Sequence, residues 1–246
     1  MAAFEEERMG WEQMKAGELE SAEDHFRRAL ELDPERPDSL NGLGIVYLSW
    51  GELDEAEELF QLALIQSEPE LPPTRMRGSG QDPSVQPYLT ALYHLAITYI
   101  RQGLWAEAEI PLKQIVAWDE EGMDGEVFPL LAEACHRTGR VEEAIHYYGA
   151  SLDLDVWSWY SLGALYLDQG QISAAERVLR HALNQEPSVG FWIMHFPKVV
   201  PLPNGTVADE SFREAVSYLV DHIDLWPETS RKELVAIGDR LLAALM

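Results

Sequence analysis

Seven histidines, a single cysteine and scattered runs of carboxylates are the side chains best suited to chemistry in this sequence, and their spacing assembles no reacting centre. There is no H-E-x-x-H and no C-x-x-C, the spacings that place two metal ligands on one helical turn or one loop. The run D-E-E-G-M-D-G-E at 119–126 supplies oxygen atoms without the D-x-D-x-D-G alternation that wraps a calcium ion, so it reads as a solvated loop. R-M-R-G-S-G at 75–80 has glycines but no Gly-Lys-Ser/Thr to cradle a phosphate, and no strand leads into it. Cys135 falls on the core face of a helical pattern and reads as a small buried hydrophobe. Asn204-Gly205-Thr206 reads as a turn. No catalytic residue, no metal and no cofactor is expected. The chemistry left to such a chain is recognition.

Charge narrows what it recognises. There are 43 acidic residues against 18 basic ones, a net charge of −25. Nucleic acid and anionic lipid draw their affinity from Lys and Arg on phosphate, so neither is an expected partner. One cysteine excludes an intramolecular disulfide. The N-terminus M-A-A-F-E-E-E-R has no apolar run behind it, and no stretch approaches the length of a membrane span. A cytoplasmic location, no membrane and a monomer are the expectations. A protein or peptide is the expected partner.

The elements that must position any recognising residues are repetitive. Gly17, Gly51, Gly103, Gly139 and Gly170 are each followed five residues later by an alanine: Ala22, Ala56, Ala108, Ala144 and Ala175. Four further on stand Phe26, Phe60, Leu112, Tyr148 and Leu179. Gly17 and Gly51 stand one period apart, the period of about 34 residues that marks stacked helix–turn–helix units. In the second copy the set is Leu40, Leu43, Gly44, Tyr47, Gly51, Ala56, Phe60 and Ala63; in the fifth it is Trp159, Leu162, Gly163, Tyr166, Gly170, Ala175, Leu179, Ala182 and Pro187. Small residues such as Gly44 and Ala56 let two helices approach, and large ones such as Leu40, Leu43, Tyr47 and Phe60 fill the space between them.

This pattern resembles the tetratricopeptide repeat (TPR) family. The resemblance covers roughly residues 3–189 and implies an all-α fold, an α-solenoid of about five repeats. Repeats are expected near 3–36, 37–70, 89–122, 125–155 and 156–189, with an irregular proline-rich insert at 68–87. Residues 190–206 are apolar, non-periodic and proline-rich, and read as an extended segment. Two helices are expected in 207–246, opened by capping boxes at Thr206 and Ser230, and serving as a cap on the last repeat.

In this family the first helix of each repeat lines a concave groove. Carried over place by place, the resemblance makes Arg8, Trp11, Lys15, Asn41, Ile45, Tyr93, His94, Ile97, Arg101, Glu133, His136, Arg137, Trp157 and Tyr160 the candidate partner-binding residues. Trp157 and Trp11 are equally open to being covered by the C-terminal segment. The reading is a non-enzymatic adaptor or scaffold that holds a peptide segment or partner protein. A dedicated secretion or assembly chaperone and a regulatory subunit of an enzyme complex are the alternatives.

Overall fold

A computed structural model describes residues 1–68, 71, 82–118, 125–154, 156–186, 190, 193–194, 217–218 and 220–245. The chain divides into two compact units, Met1–Gly139 and Arg140–Met246. The first holds α1 (Ala2–Ala16), α2 (Leu19–Leu32), α3 (Pro37–Trp50), α4 (Leu53–Ser67), α5 (Gln86–Gln102), α6 (Trp105–Trp118) and α7 (Val127–Arg137). The second holds α8 (Val141–Ser151), α9 (Val156–Asp168), α10 (Ile172–Gln185), a 3-10 turn (Ile223–Leu225) and α11 (Glu228–Leu245). No strand occurs among the described residues. The fold is all-α and of the α-solenoid class.

Each hairpin turn is encoded where it forms. Gly51 adopts φ 81°, a left-handed conformation that costs a residue with a Cβ. Its N–H bonds to Leu48 O and the next N–H, of Glu52, reaches back to Tyr47 O, satisfying two carbonyls that α3 would leave orphaned. Gly17, Gly103 and Gly170 close α1, α5 and α9 with the same pair of bonds. Pro37 and Pro87 sit in the first turn of α3 and α5, where a missing N–H costs nothing.

Close packing explains the small residues. A Cβ on Gly10 would lie 2.7 Å from the Phe26 ring, and one on Gly44 would lie 2.7 Å from the Phe60 ring. Phe26, Phe60, Ala22 and Ala56 are wholly buried. Within the first unit each helix packs on the next, and α3 also touches both α1 and α5. Those three therefore form one face.

Two repeating hydrogen bonds stitch successive hairpins. Tyr47 on α3 donates to Glu23 on α2 at 3.2 Å, and Tyr99 on α5 donates to Glu57 on α4 at 3.2 Å. Arg27 and Gln61, at matching places, each donate to the tyrosine oxygen. Glu7 on α1 is 5% exposed and takes Arg36 through both oxygens, at 3.0 and 2.7 Å, and Ser39 at 2.7 Å. It ties α1 to the start of α3.

The second unit is built around α9. Tyr160, Ala164 and Leu167 pack with Ala175 and Leu179 of α10, and with Ile193, Tyr218, Trp226, Leu234 and Ile237 from beyond the repeats. Three details differ from the sequence reading. Gly190, Ile193 and Met194, in the stretch read as extended, are helical. Ser230 is buried inside α11, which starts two residues earlier at Glu228, so Ser230 is not its cap. The helix expected to run to Leu225 ends at His222 in a tighter 3-10 turn. The Thr206 capping box, most of the 68–87 insert and most of the 119–126 loop lie outside the described residues. No helix among the described residues is long and apolar enough to cross a membrane.

Candidate partner-binding face

The face formed by α1, α3 and α5 sorts the candidate residues by what already touches them. Arg8 is exposed but ion-paired on its own helix with Glu5 at 2.5 Å and with Glu12. Trp11 is half-buried, edge-on to Phe26 with ring centres 5.3 Å apart, and belongs to the core between α1, α2 and α3. Lys15 is exposed in the last turn of α1, where a cation favours the helix dipole. Asn41 is wholly buried, and its amide donates to Pro87 O at 2.8 Å. It bridges α3 to α5 and presents nothing outward. Ile45 and Ile97 are half-buried against the cluster of Leu48, Ala56, Phe60 and Leu95.

Tyr93 and His94 are neighbours with opposite roles. Tyr93 is half-buried, and burial, followed by the Glu126 carboxylate, raises its pKa. His94 stacks on Phe60, ring centres 5.6 Å apart and planes 18° from parallel. Burial first, and then the Arg101 charge, push its pKa from 6.5 down to about 4. His94 is thus a neutral core ring, not a charged member of the groove.

A pH dependence follows. The folded chain holds His94 neutral down to about pH 4, while the unfolded chain protonates it near 6.5. Between those values the unfolded state binds more protons. The stability that neutral His94 contributes is whole above pH 6.5 and is lost as pH falls through this window. A shift of this size corresponds to roughly 3 kcal/mol. Urea unfolding at pH 7 and pH 4.5 should show a smaller drop for His94→Phe than for the parent; equal drops would place the titration elsewhere.

Of the basic residues Lys15, Arg101 and Arg137, in the last turns of α1, α5 and α7, the structure leaves Lys15 and Arg101 exposed and pairs Arg137. Arg137 is ion-paired with Glu133 at 2.7 Å and lies over the Trp105 ring, 4.3 Å from its centre. Glu133 is itself buried and His136 half-buried, so these three belong to the packing around α7. Arg101 is exposed and gives one N–H to Leu48 O at 2.8 Å, capping the end of α3. It has no carboxylate partner among the described residues. It lies on the same helix as Tyr93 and Ile97.

In the second unit the chain covers its own candidates. Trp157 stacks on Tyr218, ring centres 5.2 Å apart and planes 20° from parallel. Tyr160 is wholly buried, donates to Glu186 O at 2.6 Å and accepts from Gly190 N–H at 3.2 Å; burial raises its pKa. Tyr218 meets Ser161 Oγ at 3.0 Å and accepts from Trp226 Nε1 at 3.2 Å. Trp157 and Tyr160 serve this internal contact. For Trp157 this is the cover by the C-terminal part that the sequence left open; for Tyr160 the spacing gave no signal, because Tyr218 and Trp226 lie outside the repeat pattern.

Tetratricopeptide repeat family models match residues 8–71, 130–145 and 158–189. The chain is a tetratricopeptide repeat protein. Among solved structures, these TPR hairpins are similar to YrrB, described as a TPR protein with an unusual peptide-binding site: 22% identity, TM-score 0.58, covering 72% of this chain and 83% of that one. MamA from Desulfovibrio magneticus RS-1 aligns with TM-score 0.62 at 16% identity, over 76% of this chain and 96% of that one. Cellulose synthase operon protein C of Komagataeibacter sucrofermentans is 38% identical over 55 residues, 22% of this TPR chain. The chain spans about 4% of the length of that curated relative. The TPR fold is a scaffold for protein–protein interaction.

Proposed function

We propose that this protein is a non-enzymatic, cytoplasmic adaptor whose α1–α3–α5 face holds a peptide segment of a partner protein. The observation that carries the reading is Arg101, an exposed guanidinium without a carboxylate partner among the described residues, on the helix that carries half-buried Tyr93 and Ile97. Arg gives paired hydrogen bonds to a carboxylate, and Arg with Tyr makes the residue set in which binding energy concentrates. The peptide then carries a large apolar side chain beside an Asp, a Glu or a terminal carboxylate. Ile45 supplies apolar surface and Lys15 a second cation on the same face. The peptide-binding description of YrrB is consistent with such a role.

Panning a random peptide library on the parent protein and on Arg101→Glu tests this. Recovered peptides should share an acidic residue next to a large apolar one. Arg101→Glu should weaken them about tenfold or more with an unchanged helical spectrum. Peptides that bind both proteins equally would move the site off this face.

A further inference from the structure

α4 turns one stripe of side chains away from the core: Glu55, Glu58, Leu62 and Ile65, spaced by three, four and three residues so that they share a helix face. All four are exposed, Leu62 by 46% and Ile65 by 61%. Asp54, Gln61 and Glu68 flank them and are exposed too. The stripe is a carboxylate pair followed by an aliphatic pair.

The surrounding charge is one-sided. From residue 37 to residue 74 the sequence has no Lys, Arg or His, and carries Asp38, Glu52, Asp54, Glu55, Glu57, Glu58, Glu68 and Glu70. Four other helices each pair an acid in place: Glu23 with Arg27 on α2, Glu109 with Lys113 on α6, Glu176 with Arg180 on α10 and Glu228 with Lys232 on α11. α4 has no ion pair among the described residues. Its own dipole favours the acids of its first turn, Asp54 and Glu55. It does not account for Glu58, for the missing cations or for two exposed aliphatics one turn further on. Self-repelling charge weakens the folded state, and exposed aliphatic area gains nothing from folding. Both are relieved by one kind of occupant. Glu57 is set apart, because it faces α5 and is held by Tyr99 and Gln102.

We infer that the outer stripe of α4 is a second docking surface, for a cationic amphipathic helix of a partner protein. Its Lys or Arg turn lies on Glu55 and Glu58, and its aliphatic turn on Leu62 and Ile65. This surface is on a different helix from Arg101 and does not depend on the reading of the α1–α3–α5 face.

The probe is a fluorescein-labelled synthetic helix with two lysines followed by two leucines at the spacing of the stripe, in forward and reversed sequence, compared with a scrambled isomer of equal charge. Anisotropy titrations should show saturable binding that weakens as salt rises. Glu55→Lys with Glu58→Lys, and separately Leu62→Ser with Ile65→Ser, should each weaken it about tenfold or more. Arg101→Glu should leave it unchanged. Absence of binding, equal binding of the scrambled isomer, or indifference to the Leu62 and Ile65 pair would overturn the inference. So would parent self-association in sedimentation that Leu62→Ser with Ile65→Ser abolishes, which would make a second copy the occupant. A variant with Arg75→Ser and Arg77→Ser that binds about tenfold more tightly would name the chain's own insert instead, and would overturn it too.

Discussion

Glu7→Ala is expected to destabilise the first unit by about 3 kcal/mol, the lower end of what breaking a buried ion pair costs. Glu7 accepts from Arg36 twice and from Ser39 once, at a site 5% exposed. Removing it strands the Ser39 hydroxyl and leaves the guanidinium only Asp33, 3.7 Å away. Arg36 retains 24% side-chain exposure and rehydrates in part, which holds the loss below the upper figures. Replacing both partners by methionine should recover part of the stability, because only the Ser39 hydroxyl is then left unpaired. Urea midpoints for the two single variants and the double variant decide this. A Glu7→Ala midpoint equal to the parent's would mean that the pair does not hold α1 to α3.

Trp226→Ala should cost the second unit about 3–5 kcal/mol, the usual range for emptying a fully buried Trp site. Trp226 is 1% exposed, and its indole N–H is hydrogen-bonded to the Tyr218 hydroxyl. The truncation opens a cavity in the cluster that holds Tyr160 and Leu167, and weakens the hold of Tyr218 on Trp157. Apolar surface uncovered at the end of a repeat stack promotes association. Thermal unfolding should show a lower midpoint, and sedimentation a larger species. Val220→Ala, at a side chain 73% exposed, is the matched control and should change neither. A Trp226→Ala protein as stable and as monomeric as the control would make the C-terminal part an accessory to α9.

The hairpins were legible because their determinants are local. A glycine at φ 81°, an alanine five residues on and an aromatic four beyond that lie within one turn and one helix. The ring of Phe60 meets Gly44 inside a single hairpin, α3 with α4. The roles of the candidate site residues were less legible, because exposure is decided by whichever element covers a place. Asn41 and Tyr93 occupy the same place in their repeats. Pro87 covers one and leaves Asn41 buried; the other stays half open. His94 is the right residue type for a pH-responsive groove, yet Phe60 beneath it makes it part of the core. Trp157 is claimed by Tyr218, which lies far along the chain and belongs to no repeat. The Glu7–Arg36 pair left no periodic trace, since it occurs once. Glu23 and Glu57 did leave one, standing a full repeat apart like Gly17 and Gly51, but acidic residues are so common here that the coincidence carries no weight alone.

The tyrosine–glutamate stitch has a consequence for how this molecule can be altered. It closes first between α2 and α3, where the chain runs directly from Leu32 to Pro37. It closes again between α4 and α5, where the chain leaves at Ser67 and returns only at Gln86. The same bond therefore forms across a short connection and across a much longer one. Geometry at the seam is set by the facing helices and is indifferent to the length of chain that runs between them. The entropy of closing a loop rises by only about 0.6 kcal/mol for each doubling of its length. The junction between α4 and α5 is thus a natural port. A reporter, an affinity tag or a whole foreign domain can be spliced in there while Tyr99 still finds Glu57.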